Sequence, residues 1–127
     1  EIEATDPLLH LRRNVATAFH QTVHDEQVRR VFEIASHKVE YVDELQALRG
    51  RHITERDACM GDLDRLLAQA VERGQLPEGT SVGMAAIGLH ALIDGLMHNW
   101  LLNPESFDLE AVGAQALDAH LAGLAAP

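Results

Sequence analysis

Apolar residues recur along this chain at intervals of three and four, the spacing that gathers side chains onto one face of an α-helix. Leu8, Leu11, Val15, Ala18, Phe19, Thr22 and Val23 form the first such face. It follows Asp6-Pro7, a capping residue and then Pro at the first helical position, so a helix is predicted from there to about Val23. Asp25 or Glu26 opens a second helix with an apolar face of Val28, Val31, Phe32, Ala35 and Val39. A long helical stretch runs from about Asp43 to Arg73. Its stripe begins with Leu45 and Leu48 and ends with Cys59, Leu63, Leu66, Leu67, Ala70 and Val71. The middle is polar, and Gly50 is expected to kink or split it. Gly74 reads as a C-cap before the turn Gln75 to Gly79. Thr80 or Ser81 then caps a helix that ends before Asn103-Pro104 and is apolar almost all round, so it is predicted to be buried on several sides. One polar stripe interrupts it: His90, Asp94 and His98. Ser106 or Asp108 starts the last helix, with Leu109, Val112, Ala116, Leu117, His120, Leu121 and Leu124 inward. The predicted fold is all-α, a bundle of about five or six helices in one domain over residues 1–127.

Composition supports this and narrows the function. The chain has 127 residues with 18 Leu and 18 Ala, a helix-forming balance. Its formal net charge of −10 argues against nucleic-acid binding by this chain alone, which needs a basic face to displace counterions from phosphates. One cysteine, Cys59, excludes an internal disulfide and a Cys-based zinc site. No apolar run approaches the ~18 residues that span a membrane. The opening residues Glu1 to Thr5 are neither a signal peptide nor an initiator Met, so a fragment lacking its N-terminal part is expected.

Two sets of residues bear on function. Gly88, Leu92, Gly95 and Asn99 share one side of the fourth main helix, and Gly113 and Ala116 lie in the last. Small residues let helix backbones approach closely, so a homodimer built from two helices of each subunit is predicted. His90, Asp94 and His98 share a face, but i to i+8 spans about 12 Å, too far for three ligands to close on one ion. His20 and His24 lie on a polar face and read as surface histidines, so no metal ligand and no cofactor are predicted. Asp94 sits on a largely apolar helix, where a carboxylate needs partners; Arg56 is a candidate. Periodicity leaves open whether Asp94 belongs to a ligand pocket or to a buried structural pair. No nucleophile elbow, phosphate loop or metalloprotease helix occurs, so no enzyme and no catalytic residue are predicted.

Two segments carry a resemblance. Arg29 to Tyr41 reads RRVFEIASHKVEY and Asp94 to Leu109 reads DGLMHNWLLNPESFDL. With the turn Ala70 to Pro77, they resemble the C-terminal ligand-binding domain of TetR-family repressors of the AcrR/TtgR group, from about Asp6 to Leu121. The resemblance implies a cytoplasmic homodimer joined through its last two helices, with an interface here at Gly88, Leu92, Gly95, Asn99, Gly113, Leu117, His120 and Leu121. It implies a helix-turn-helix head, expected to be missing from this chain, that binds operator DNA beside a multidrug-efflux operon. A drug, dye, phenolic or flavonoid would enter the C-terminal cavity and release the DNA. The cavity positions implied are Leu11, Asn14, Val15, Ala18, Phe32, Ser36, Cys59, Leu63, His90, Ile93 and Asp94. Val39 and His98 depart from the residues usual in the family. The rival readings are a structural helical dimerisation module without a ligand, and a His/Asp metal-binding protein.

Overall fold

The computed structural model of the chain describes residues 5–30 and 43–126. Four long helices are formed: α1 (Pro7–His24), α2 (Asp43–Glu72), α3 (Val82–Leu102) and α4 (Leu109–Ala125). Residues 26–30 are also helical, and the described residues include no strand. Each long helix packs on two neighbours, α1 on α2, α2 on α3, α3 on α4 and α4 back on α1, which closes a four-sided bundle.

Local signals set the helix ends. The Asp6 carboxylate accepts the Leu9 backbone N–H at 3.0 Å and Pro7 opens α1. Asp25 accepts from the N–H groups of Gln27 and Val28 and so starts the helical residues 26–30. Gly74 has φ +79°, the left-handed region that glycine enters without a Cβ clash. There the N–H of Gly74 donates to the Val71 carbonyl at 3.1 Å and that of Gln75 to the Ala70 carbonyl at 2.8 Å. This double closure satisfies carbonyls that the helix end would otherwise leave open. Leu76 then turns into the core, 2% exposed. Ser81 caps α3 without a side-chain bond, whereas Asp108 caps α4 by accepting from the Ala111 N–H at 3.1 Å.

The Gln75 side chain ties the turn after α2 to the start of α1. Its Nε2 donates to Asp6 Oδ1 at 2.7 Å, and its Oε1 accepts the Leu8 N–H at 3.2 Å. The bond from Gln75, then that from Leu9, holds the Asp6 carboxyl below the usual carboxylate range.

The core runs through the centre of the bundle. Leu8, Leu11, Val15 and Phe19 of α1 meet Leu63, Leu66, Leu67 and Ala70 of α2 and Ala85, Ala86, Leu89 and Ile93 of α3. Trp100 and Leu101 of α3, with Leu109, Leu117 and Leu121 of α4, close the other end. Thr22 is buried, with its hydroxyl donating to the Ala18 carbonyl at 2.9 Å. Arg29 lies over the Trp100 ring, 5.6 Å from its centroid.

Three expectations change. The helix α2 continues through Gly50 without a break; one interior Gly costs only about 1 kcal/mol against Ala, which packing overrides. Val28 is 37% exposed and Val112 38%, so neither is an inward residue. The helix α3 is not buried on most sides: Met84 is 75%, Ile87 62% and Leu102 76% exposed, forming one uncovered apolar face. The remaining predicted apolar face, Val31, Phe32, Ala35 and Val39, lies outside the described residues, as do the side chains of Leu45 and Leu48.

Candidate functional site

The described cavity positions lie on three helices, and Leu11, Val15, Leu63 and Ile93 among them are packed in the core. From α1 come Leu11 and Val15, both buried, and half-buried Ala18. From α2 come Leu63, 5% exposed, and Cys59 one turn earlier on the open side. From α3 come buried Ile93 and half-buried His90 and Asp94. Phe32 and Ser36, the other two predicted positions, lie outside the described residues. Asn14 is a correction: it is exposed. The buried stripe of α1 is Leu8, Leu11, Val15, Phe19 and Thr22, and at 3.6 residues per turn Asn14 points about 100° from its centre.

The polar end of this assembly is a carboxylate with a neighbouring ring. Asp94 Oδ2 lies 3.5 Å from His98 Nε2, one turn further along α3, and both side chains are a little over one-third exposed. This corrects the expected partner: Arg56 is exposed and its Nη2 instead meets Asp57 Oδ1 at 3.1 Å. Across the α2–α3 contact, Cys59 sits close enough to feel the Asp94 charge. Burial, then the Asp62 and Asp94 carboxylates, pushes its thiol above the ordinary value, so Cys59 stays a protonated, weak nucleophile. The arrangement offers one acceptor, Asp94, with His90 and His98 at adjacent turns. Leu63 and Ile93 are buried in the core, and half-buried Met97 packs against it. The arrangement suits hydrogen bonding to a small molecule with an apolar body better than bond-making chemistry.

The predicted interface residues divide. Gly88 and Asn99 are exposed and Leu92 and Gly95 half-buried, on the same side of α3 as Met84, Ile87 and Leu102. The Asn99 Nδ2 donates to the Gly95 carbonyl at 2.8 Å, leaving the helix surface smooth there. A Cβ at Gly95 would meet nothing within 4 Å, and one at Gly88 only His120 Cε1 at 3.9 Å. His120 therefore lies in the α3–α4 groove; its Nε2 is buried with no hydrogen-bond partner among the described residues. Gly113, Leu117 and Leu121 are corrections. Gly113 packs on Phe19 of its own chain, while Leu117 and Leu121 are 3% and 1% exposed in its own core. They follow the same heptad-like spacing as an outer face, but α1 covers that side of α4.

Sequence reasoning missed a cavity of about 250 Å³ between α1 and α4. Phe19, Val15, Ala16, Ala114 and Leu117 line it, and the Arg12–Asp118 ion pair, 2.9 Å, stands at its edge. Of the predicted cavity positions only Val15 lines it. The small residues Ala16 and Ala114 are the only trace of it in the sequence, and they do not stand out in an Ala-rich chain.

Comparison with known proteins gives a consistent result. Residues 6–125 match the family model of the MAATS-type transcriptional repressor, C-terminal region. The chain is 38% identical over 104 residues to the probable HTH-type transcriptional regulator ArpR of Pseudomonas putida, covering 82% of this chain and 50% of that protein. It is 36% identical over 107 residues to the HTH-type transcriptional regulator TtgR of Pseudomonas putida strain DOT-T1E, 84% of this chain and 51% of that protein. It is 36% identical over 108 residues to the HTH-type transcriptional regulator AcrR of Shigella flexneri, 83% of this chain and 49% of that protein. The chain thus spans about half the length of these relatives. They are transcriptional regulators rather than enzymes. No helix among the described residues is long and apolar enough to cross a membrane.

Proposed function

The chain belongs to the C-terminal region of the MAATS-type repressors of the TetR family, and on that premise we propose that it is the effector-sensing and dimerising part of a cytoplasmic repressor of a multidrug-efflux operon. The observation that carries the sensing role is the Asp94 carboxylate, set with His90 and His98 on a helix whose adjacent positions Leu89, Ile93 and Met97 are apolar. A small hydrophobic or aromatic effector with a hydroxyl or amine would place its polar group on Asp94 and its body against half-buried Met97. Binding then favours the conformation that holds operator DNA poorly, a shift set by the difference in affinity between the two states. DNA contact is assigned to a helix-turn-helix head outside this chain, in agreement with the net charge of −10.

The dimer rests on the uncovered face of α3. Met84, Ile87 and Leu102 expose large apolar side chains around Gly88, Ala91 and Gly95, a patch that a second copy of α3 and α4 would cover. A structural module without an effector would share this face, so the discriminating experiment concerns Asp94. Calorimetry with one phenolic and one purely apolar ligand of similar size, on the chain and on Asp94→Ala, is expected to show a ten- to hundredfold loss for the phenolic alone, from a charged hydrogen bond of roughly 1.5–3 kcal/mol. Equal losses would mean that Asp94 acts through the fold. No binding of either ligand would favour the purely structural module.

A further inference from the structure

We propose that His20, His24 and Glu110 form a binding site for one divalent transition-metal ion of the zinc class, which clips the end of α1 to the start of α4. The two histidines are one turn apart on the last turns of α1, with ring centroids 4.3 Å apart and planes inclined by 42°. Glu110 lies in the first turn of α4, behind the Asp108 cap. Its Oε1 is 2.8 Å from His20 Nδ1 and its Oε2 is 3.1 Å from His24 Nε2. One carboxylate therefore faces two imidazoles, and the three ligand atoms lie within 4.8 Å of one another.

A tetrahedral zinc ion holds its ligands at about 2.0–2.2 Å, which places pairs of ligand atoms roughly 3.3–3.6 Å apart. The two imidazole–carboxylate distances, 2.8 and 3.1 Å, are a few tenths of an ångström shorter than that spacing, so the ligands need to move apart only slightly. The side chains are accessible, His20 61%, His24 57% and Glu110 39% exposed, so rotation about side-chain bonds is enough to admit the ion. The donor set is selective: two imidazoles and one carboxylate suit zinc, copper or nickel and not magnesium or calcium, which take oxygen ligands. Three protein ligands leave a position for water. The surroundings favour a cation. Asp25 and Glu26 follow α1 directly in the chain and the whole chain is strongly acidic, while the opposite ends of α1 and α4 that meet there offset each other's dipoles. By contrast, no third such ligand joins the Asp94–His98 pair among the described residues.

The test is a calorimetric titration of zinc chloride into the chain in a non-chelating buffer near pH 7.5, with side-chain NMR of the histidines. One ion per chain is expected, with a dissociation constant on the order of micromolar, and of the eight histidines only His20 and His24 should shift strongly. At free zinc 100 times the dissociation constant, the folding equilibrium constant should rise about a hundredfold. The double variant H20Q/H24Q should bind at least about tenfold more weakly, E110Q should also weaken binding, and magnesium chloride should give no titration. Absence of saturable binding, undiminished binding by H20Q/H24Q or by E110Q, or shifts centred on His90 and His98 would each overturn the proposal. The NMR arm uses the unmodified chain, so it decides the matter even if a variant folds poorly.

Discussion

Replacing Gly113 by Ala probes the contact that joins the first and last helices. An Ala inside an exposed helix is normally more stable than Gly by about 1 kcal/mol. At Gly113 a Cβ would fall 2.5 Å from Phe19 Cδ2 and 3.0 Å from its Cζ, against a carbon–carbon contact of roughly 3.5–4.0 Å. Phe19 is 1% exposed and packed in the core, so the ring can yield only toward the cavity that it lines between α1 and α4. Overpacking of this kind costs about 1–3 kcal/mol, and an overlap of about 1 Å belongs in the upper half of that range. Setting the propensity gain against it leaves a net loss of about 1–2 kcal/mol, or ~4–8 °C in melting temperature for a chain of this size. Urea denaturation followed by circular dichroism, at one fixed protein concentration, measures this directly. Gly61→Ala is the control, because a Cβ there meets nothing within 4 Å and should stabilise by up to about 1 kcal/mol. On a Phe19→Leu background the Gly113→Ala loss should shrink by at least ~0.5 kcal/mol, the signature of contact between the two sites. Equal stabilisation by Gly113→Ala and Gly61→Ala would refute the packing of α4 on α1 described above.

Other measurements address the remaining structure. Gly95→Leu should convert a dimer to a monomer in light scattering, since Leu fills the open strip of α3 that a second copy would occupy; an unmodified chain that is already monomeric would remove the basis for that interface. Asp108→Ala should destabilise by about 0.5–2 kcal/mol through loss of the α4 cap, read as a lower urea midpoint with an unchanged slope. Acid should weaken the fold in part through Asp6 and Glu110. Both have folded values depressed by hydrogen bonds, so their contribution is fully present above the unfolded carboxylate values near 4 and is lost as pH falls through the lower folded ones. Melting temperatures for the chain and for Asp6→Asn should converge at low pH, and parallel curves would count against this assignment.

What was legible in the sequence was local. Asp6-Pro7, Gly74 and Asp108 mark helix ends because a cap uses atoms within three or four residues of itself. The inward lines Leu11–Val15–Phe19 and Leu63–Leu66–Leu67–Ala70 follow from helix period alone. Long-range pairing was not legible. Arg56 reads as a candidate partner for Asp94, yet its ion pair is with its own neighbour Asp57. Gly113 looked like Gly95 in the sequence, yet one faces an aromatic ring and the other open space. His20 and His24 were visible as a pair one turn apart. Glu110, the group that completes them, comes from a helix about 90 residues later, and no periodic pattern connects the two. Asn14 fell at the edge of a stripe, where a rotation of one residue decides between pocket and solvent.

The two bonds of Gln75 make the first turn of α1 and the α2–α3 corner a single mechanical joint. If α2 slides or tilts against α3, the corner carries Asp6 and the Leu8 amide with it, because one side chain grips both an acceptor and a donor there. The front of α1 therefore cannot shift against that corner without breaking or stretching both bonds.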